Sequence, residues 1–163
     1  MRLGLEAESQ KNDSNERMPW VQTDLRSWRD VSSLVPFAPF DVILDKSTCD
    51  AIATSDTQEF SPDDTSNVCP TVVELIHEGN ALSLPPVELL ALHLAPLTHS
   101  GTIWFAMSYS TARFDHFPFL TKYWTLRSRT ALEAPTGGAC SFAHTPPVYH
   151  WLYVLERTED SPS

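Results

Sequence analysis

The segment FDVILD at residues 40–45 restricts the fold more than any other. Val42, Ile43 and Leu44 run together between Asp41 and Asp45, with no alternation of apolar and polar positions. A strand with one wet face alternates, whereas an unbroken β-branched and aliphatic run suits a parallel sheet covered on both faces. The expectation is an α/β domain with a central strand over residues 40–44. Asp45 and Lys46 then stand at its carboxyl end, where open parallel sheets hold their ligands. A strand-end ion pair is the competing, purely structural reading of these two residues.

The segments on either side predict alternating strands and helices. Residues 1–17 are polar and charge-rich and read as a flexible start. Residues 18–25 (MPWVQTDL) predict a short strand, and 26–34 a polar connection. Ser, Thr, Asp and Pro crowd residues 54–70, which leaves too little apolar surface to order them, so a surface loop is expected. Residues 71–78 place Val72, Val73, Leu75 and Ile76 on the apolar side of a helix. A second helix starts at Pro85 and Pro86, because a first turn needs no N–H from proline, and continues through VELLALHL at 87–94.

Residues 101–110 (GTIWFAMSYS) predict another apolar strand. Residues 123–132 alternate, and 148–156 (VYHWLYVLE) are aromatic and β-branched, so both read as strands. Gly137, Gly138 and three prolines lie between them, which makes a long-looped antiparallel pair closing a mostly parallel open sheet. Residues 18–158 thus form one domain, with 159–163 as a tail.

Composition narrows the function classes. With 42% hydrophobic residues and five Trp, the 163 residues can bury one sizeable core. The 21 acidic residues outweigh 11 basic ones, and a net charge of -10 argues against nucleic acid and anionic membranes as partners. No apolar run approaches the roughly 20 residues of a membrane span. Cys49, Cys69 and Cys140 form no C-x-x-C pair and no apolar leader opens the chain, so a reduced, cytoplasmic protein is expected. The six His lack metal-ligand spacing, Cys140 with His144 has no second half-site, and no metal is expected. Neither a G-x-S-x-G elbow nor a P-loop occurs.

At this point FDVILDKSTCDAI, residues 40–52, resembles FDVVLDKGTLDAL, the fourth strand and following turn of seven-strand methyltransferases that use S-adenosylmethionine. The group in question includes the elongation factor 1-alpha lysine methyltransferases and their methyltransferase-like relatives. Ser47 stands where that group has Gly, and Ser adopts φ > 0 less cheaply. WVQTD at 20–24 is similar to its third strand, and LTHSGTIWFAMS at 97–108 to its helix-to-fifth-strand passage. ARFDHFPFL, YWTLR and HWLYVLE, starting at residues 112, 123 and 150, look like its later elements in the same order.

The resemblance implies a truncated Rossmann-like methyltransferase fold. It also implies S-adenosylmethionine as cofactor and transfer of a methyl group to a lysine of a protein substrate such as a translation factor. In that frame Asp45 and Lys46 are the candidate catalytic residues, and Thr48 and Asp50 shape the substrate-side turn. Asp24, Leu25 and Asp45 are the candidate cofactor contacts, with Asp24 near the adenine.

The family's glycine-rich cofactor loop is missing. Gly4, Gly79, Gly101, Gly137 and Gly138 are the only glycines, and none forms a close-spaced set before Trp20. Truncation or degeneration is the favoured explanation, over a different route to the cofactor. The alternative function is a catalytically inactive relative whose exposed sheet edge pairs with another chain.

Overall fold

The computed structural model describes residues 19–63, 66–77, 81–134 and 148–158. In chain order the elements are α1 (Trp28–Val31), β1 (Phe40–Lys46), α2 (Thr48–Ile52), β2 (Gln58–Phe60) and α3 (Pro70–His77). They continue with β3 (Leu82–Leu84), α4 (Pro86–Leu94), β4 (Thr98–Ser108), α5 (Leu120–Tyr123), β5 (Trp124–Glu133) and β6 (Tyr149–Arg157). A four-stranded sheet has the order β1-β4-β6-β5, and β2 and β3 form a separate antiparallel pair.

The fold is mixed α/β. Only β1 and β4 run parallel, while β6 is antiparallel to both of its neighbours. The expected antiparallel pair of final strands is present, but the expected mostly parallel sheet is a mixed one among the described residues. The parallel pair exists because β1 returns to β4 through a long connection containing α2, α3 and α4, whereas antiparallel neighbours need only a turn. Gly101, at φ +85°, sits where four residues of β4 are set against one of β1, between the Phe40↔Thr98 and Val42↔Ile103 pairings. An L-side chain is strained at that φ, so glycine permits the irregularity.

Helix α4 organises the packing. Every residue from Val87 to Leu94 is buried. Val87, Leu90, Ala91 and Leu94 join a core with Trp104, Ala106, Tyr153 and Leu155 of the sheet. Leu89 and Leu92 point the other way, into a second cluster with Val72, Leu75 and Ile76 of α3 and Leu82 and Leu84 of β3. A helix apolar on all sides needs neighbours on all sides. Each fully buried Leu contributes about 1.5–3 kcal/mol relative to exposure. Pro86 occupies the first helical position with Pro85 as the cap residue, as the sequence predicts.

Three expectations give way here. Residues 19–25 form no strand: Trp20 is 91% exposed, no sheet edge among the described residues takes them, and the segment ends in a turn with Ser27 N donating to Asp24 O. The loop expected over 54–70 contains β2, whose partner β3 was not anticipated. Phe60, Leu82 and Leu84 all pack on the second cluster, and that tertiary burial supplies what local composition lacks. Finally, β1 is an edge strand rather than a central one. Val42 and Leu44 are 52% and 80% exposed on the face away from α4. Ile103, Phe105 and Met107 of β4 lie on that same face and are only partly buried. No helix among the described residues is long and apolar enough to cross a membrane. Residues 1–17 and 159–163 lie outside the described residues, as do Cys140 and His144.

Candidate functional site

The carboxyl ends of β1 and β4 meet in a network of charged and hydroxyl groups. Strand β1 stops because Ser47 turns into the left-handed region, φ 63° and ψ 11°. The backbone thus keeps the glycine-type turn with serine in place, at a cost of about 1 kcal/mol or more. Ser47 N donates to Met107 O at 2.9 Å, which locks the turn to β4. The turn points the first N–H groups of α2 back at Asp45: Thr48 N reaches Oδ1 at 2.7 Å and Cys49 N reaches Oδ2 at 3.2 Å. Asp45 is 8% exposed. Burial pushes its carboxyl above the usual range, and the N–H donors pull against that. Its oxygens therefore hold the turn together, and the exposed Lys46 is carried on that turn.

Asp50, one turn further on, is the hub between the two strands. Its Oδ1 accepts from Ser108 Oγ at 2.5 Å and pairs with Arg113 Nη2 at 2.6 Å. Its Oδ2 accepts from Tyr109 N at 3.0 Å. The two charged side chains are only 19% and 15% exposed, which strengthens the pair relative to a surface one. Arg113 Nε also donates to Ser108 Oγ at 3.2 Å. Tyr153 of β6 donates to Ser110 O at 2.6 Å, and its oxygen accepts from Arg113 N. On the outer side of this network the Tyr109 ring, 61% exposed, meets His150 edge-on at 4.6 Å. The rim thus offers an ammonium, a hydroxyl and an imidazole above a rigid ion pair.

Sequence reasoning singles out Asp45, Lys46, Thr48 and Asp50; in the structure Asp45 accepts from Thr48 N, Asp50 faces Ser108 and Arg113, and Lys46 is exposed at the strand end. It leaves out Ser108, Tyr109, Arg113, His150 and Tyr153. Arg113 falls within the resemblance at residues 112–120, but nothing local connects it to a carboxylate more than sixty positions earlier.

Asp24 and Leu25 lie elsewhere, past the carboxyl end of α2. Arg26 grips both Asp24 oxygens, Nε at 3.0 Å and Nη2 at 2.8 Å, and this holds the carboxyl down at about 2. Arg26 also donates to Ser55 Oγ. The Leu25 side chain packs on the core that α2, α4 and the sheet share, and its carbonyl pairs with His93 Nδ1 at 2.9 Å. Asp24 lines a cavity of about 480 Å³ that Asp45, Lys46, Thr48 and Asp50 do not reach.

Cys49 is no nucleophile: burial first, then the Asp45 and Asp50 charges, push its thiol up to about 12. Among the described residues no three His, Cys, Asp or Glu side chains gather as a metal site would need. No family model, no curated protein and no solved structure matches the chain.

Proposed function

We propose that this chain carries the carboxyl-edge portion of an S-adenosylmethionine-dependent methyltransferase domain of truncated Rossmann-like type, directed at a lysine of a protein substrate such as a translation factor. The observation that supports this reading is the β1 tip. There an acid-closed left-handed turn stands at the carboxyl end of a parallel pair, next to an antiparallel closing strand. Carboxyl ends of parallel strands are where such sheets bind ligands. Asp45 is a positioning residue in this scheme, Lys46 and Thr48 flank it on the turn, and the Asp50–Arg113 pair ties α2 to the segment after β4.

The described residues fit the cofactor only in part. Gly101 lies toward the amino end of β4 and offers no cradle beside the β1 tip, and both oxygens of Asp24 are taken by Arg26. Calorimetric titration of the purified protein with S-adenosylmethionine tests the reading. Saturable heat that Asp45→Ala abolishes, with unchanged circular dichroism, upholds it; no heat at millimolar ligand overturns it.

A second reading is favoured by a different observation, the apolar face formed by Val42, Leu44, Phe105 and Met107, which no described element covers, beside the outer edge of β1, which pairs with no other described strand. A non-enzymatic interaction module would use that edge for strand pairing with another chain. Absence of cofactor binding together with Leu44-dependent complex formation selects it.

A further inference from the structure

We propose that the open face of the four-stranded sheet packs on the same face of a second copy of this chain, forming a two-fold dimer with micromolar affinity. The proposal rests on the face behind the interaction reading above and names its occupant. It needs neither strand pairing at the β1 edge nor absence of the cofactor.

The register defines the face. Val42 and Leu44 of β1 stand beside Ile103 and Phe105 of β4. Phe105 and Met107 in turn stand beside Val154 and Leu152 of β6. These side chains alternate with Trp104, Ala106, Tyr153 and Leu155, which pack in the core with α4. Among the described residues no element lies over the outer set. Single exposed apolar residues are ordinary, but an aliphatic patch that crosses three strands marks an interaction site.

Charge decides which partner fits. The chain carries a net charge of -10, yet the one carboxylate on this face among the described residues, Glu156, is held by Arg127 at 2.6 Å. Ser128 and Thr130 of β5 border the patch with hydroxyls, and Lys46 and His150 stand at its far end. An apolar centre inside a polar rim is the anatomy of a protein interface. A strongly basic partner finds no unpaired acid here, and a strongly acidic one meets the repulsion of the whole chain. Two acidic copies approach most easily where neither presents an unpaired anion, and this face meets that condition.

The remaining residues of this sequence carry no apolar stripe to lay over the patch. Residues 1–17 are polar and charge-rich, 135–147 are interrupted by Gly137, Gly138 and three prolines, and 159–163 are few and polar. A second sheet face is a fitting cover, since sheets pack face to face about 10 Å apart with their inner side chains interdigitated. The same patch on both partners satisfies two-fold symmetry. Four strands about 4.8 Å apart, with about six residues at about 3.3 Å each, give the face a plan of about 19 by 20 Å. With side-chain relief two such faces bury on the order of 1,000 Å², the lower limit for a specific interface. Affinity is accordingly modest, and the face is open in dilute solution.

Sedimentation velocity of the whole protein across the micromolar range, up to about 100 μM, tests this. The expected result is a single monomer-to-dimer transition. It should be at least about threefold tighter in about 0.5 M than in about 0.1 M NaCl, because salt screens the repulsion between two copies of charge -10. Val154→Glu, two strands away from the β1 edge, should leave the protein monomeric throughout with unchanged circular dichroism. Leu44→Arg should do the same, and the fold tolerates it because Leu44 is 80% exposed in the monomer. The inference is overturned by a monomer at every concentration, by association that weakens with salt, by growth beyond a dimer, or by a dimer that survives Val154→Glu. Survival in Val154→Glu with loss in Leu44→Arg would move the contact to the β1 edge and uphold strand pairing instead. S-adenosylmethionine binding bears on none of these outcomes.

Discussion

The two faces of the four-stranded sheet come from the same strands, one residue out of phase, and they differ in what covers them. On β4, Trp104 and Ala106 are fully buried under α4, while Ile103, Phe105 and Met107 between them are only partly so. On β1, Asp45 is buried on the helix side while Leu44, beside it, is 80% exposed. Hydropathy does not distinguish the two sets; the position of α4 does. The covered face also has a more ordered polar structure. Trp124 Nε1 donates to Ala91 O, and the buried Glu88 accepts from Phe119 and Leu120 N at 2.6 and 3.2 Å, which anchors the segment entering α5. Trp104 Nε1 is an exception, buried without a partner among the described residues.

The largest expected effect separates the faces directly. Trp104→Ala should cost about 3–5 kcal/mol in urea unfolding, because its ring packs edge-on against Phe114 and Trp124 at 5.1 and 5.4 Å. Phe105→Ala, one position away on the open face, should cost clearly less; an equal loss would mean that the open face is covered in solution. Next comes the strand-tip network. Arg113→Ala leaves Asp50 part-buried without its cation and should cost about 2 kcal/mol, with a double-mutant cycle against Asp50→Asn showing coupling.

Glu88→Gln tests the covered face by pH and should cost about 1 kcal/mol. Burial raises the Glu88 carboxyl, so the folded state holds its proton more tightly than the unfolded one. Its contribution is therefore fullest below the ordinary carboxylate range and is lost as pH rises through the raised value. Urea midpoints measured across that window should fall less with pH in Glu88→Gln than in the parent. Ser47→Gly should stabilise the fold by about 1 kcal/mol, seen as a higher Tm, since glycine enters the left-handed turn without strain. Smallest of all, Leu44→Ser should change stability by less than about 0.5 kcal/mol if that side chain meets only water. A larger loss breaks the contrast between the faces.

Much of the secondary structure was legible because it depends on local pattern. The apolar runs behind β1, β4 and β6, the alternation in β5 and the helical spacings of α3 and α4 are each visible within one segment. The three-residue strands β2 and β3 are too short to show a period, and they exist because the second cluster buries Phe60, Leu82 and Leu84. Residues 18–25 carried a strand's composition but found no edge to pair with among the described residues. For the site, Asp45, Lys46, Thr48 and Asp50 were readable together because one turn holds all four. Ser108, Arg113 and Tyr153 were not, since only the β1·β4·β6 register brings them to Asp50.

By itself, then, the amino-acid order determined where β1, β4, β5, β6, α3 and α4 form and which turn carries the charged tip, since backbone preference and apolar period act over a few residues. Tertiary structure alone decided which side of β1 is wet, that Asp45 closes a turn instead of facing solvent, and that Arg113 neutralises Asp50. Those outcomes depend on burial and on pairings between residues far apart in the chain, and no local pattern encodes them.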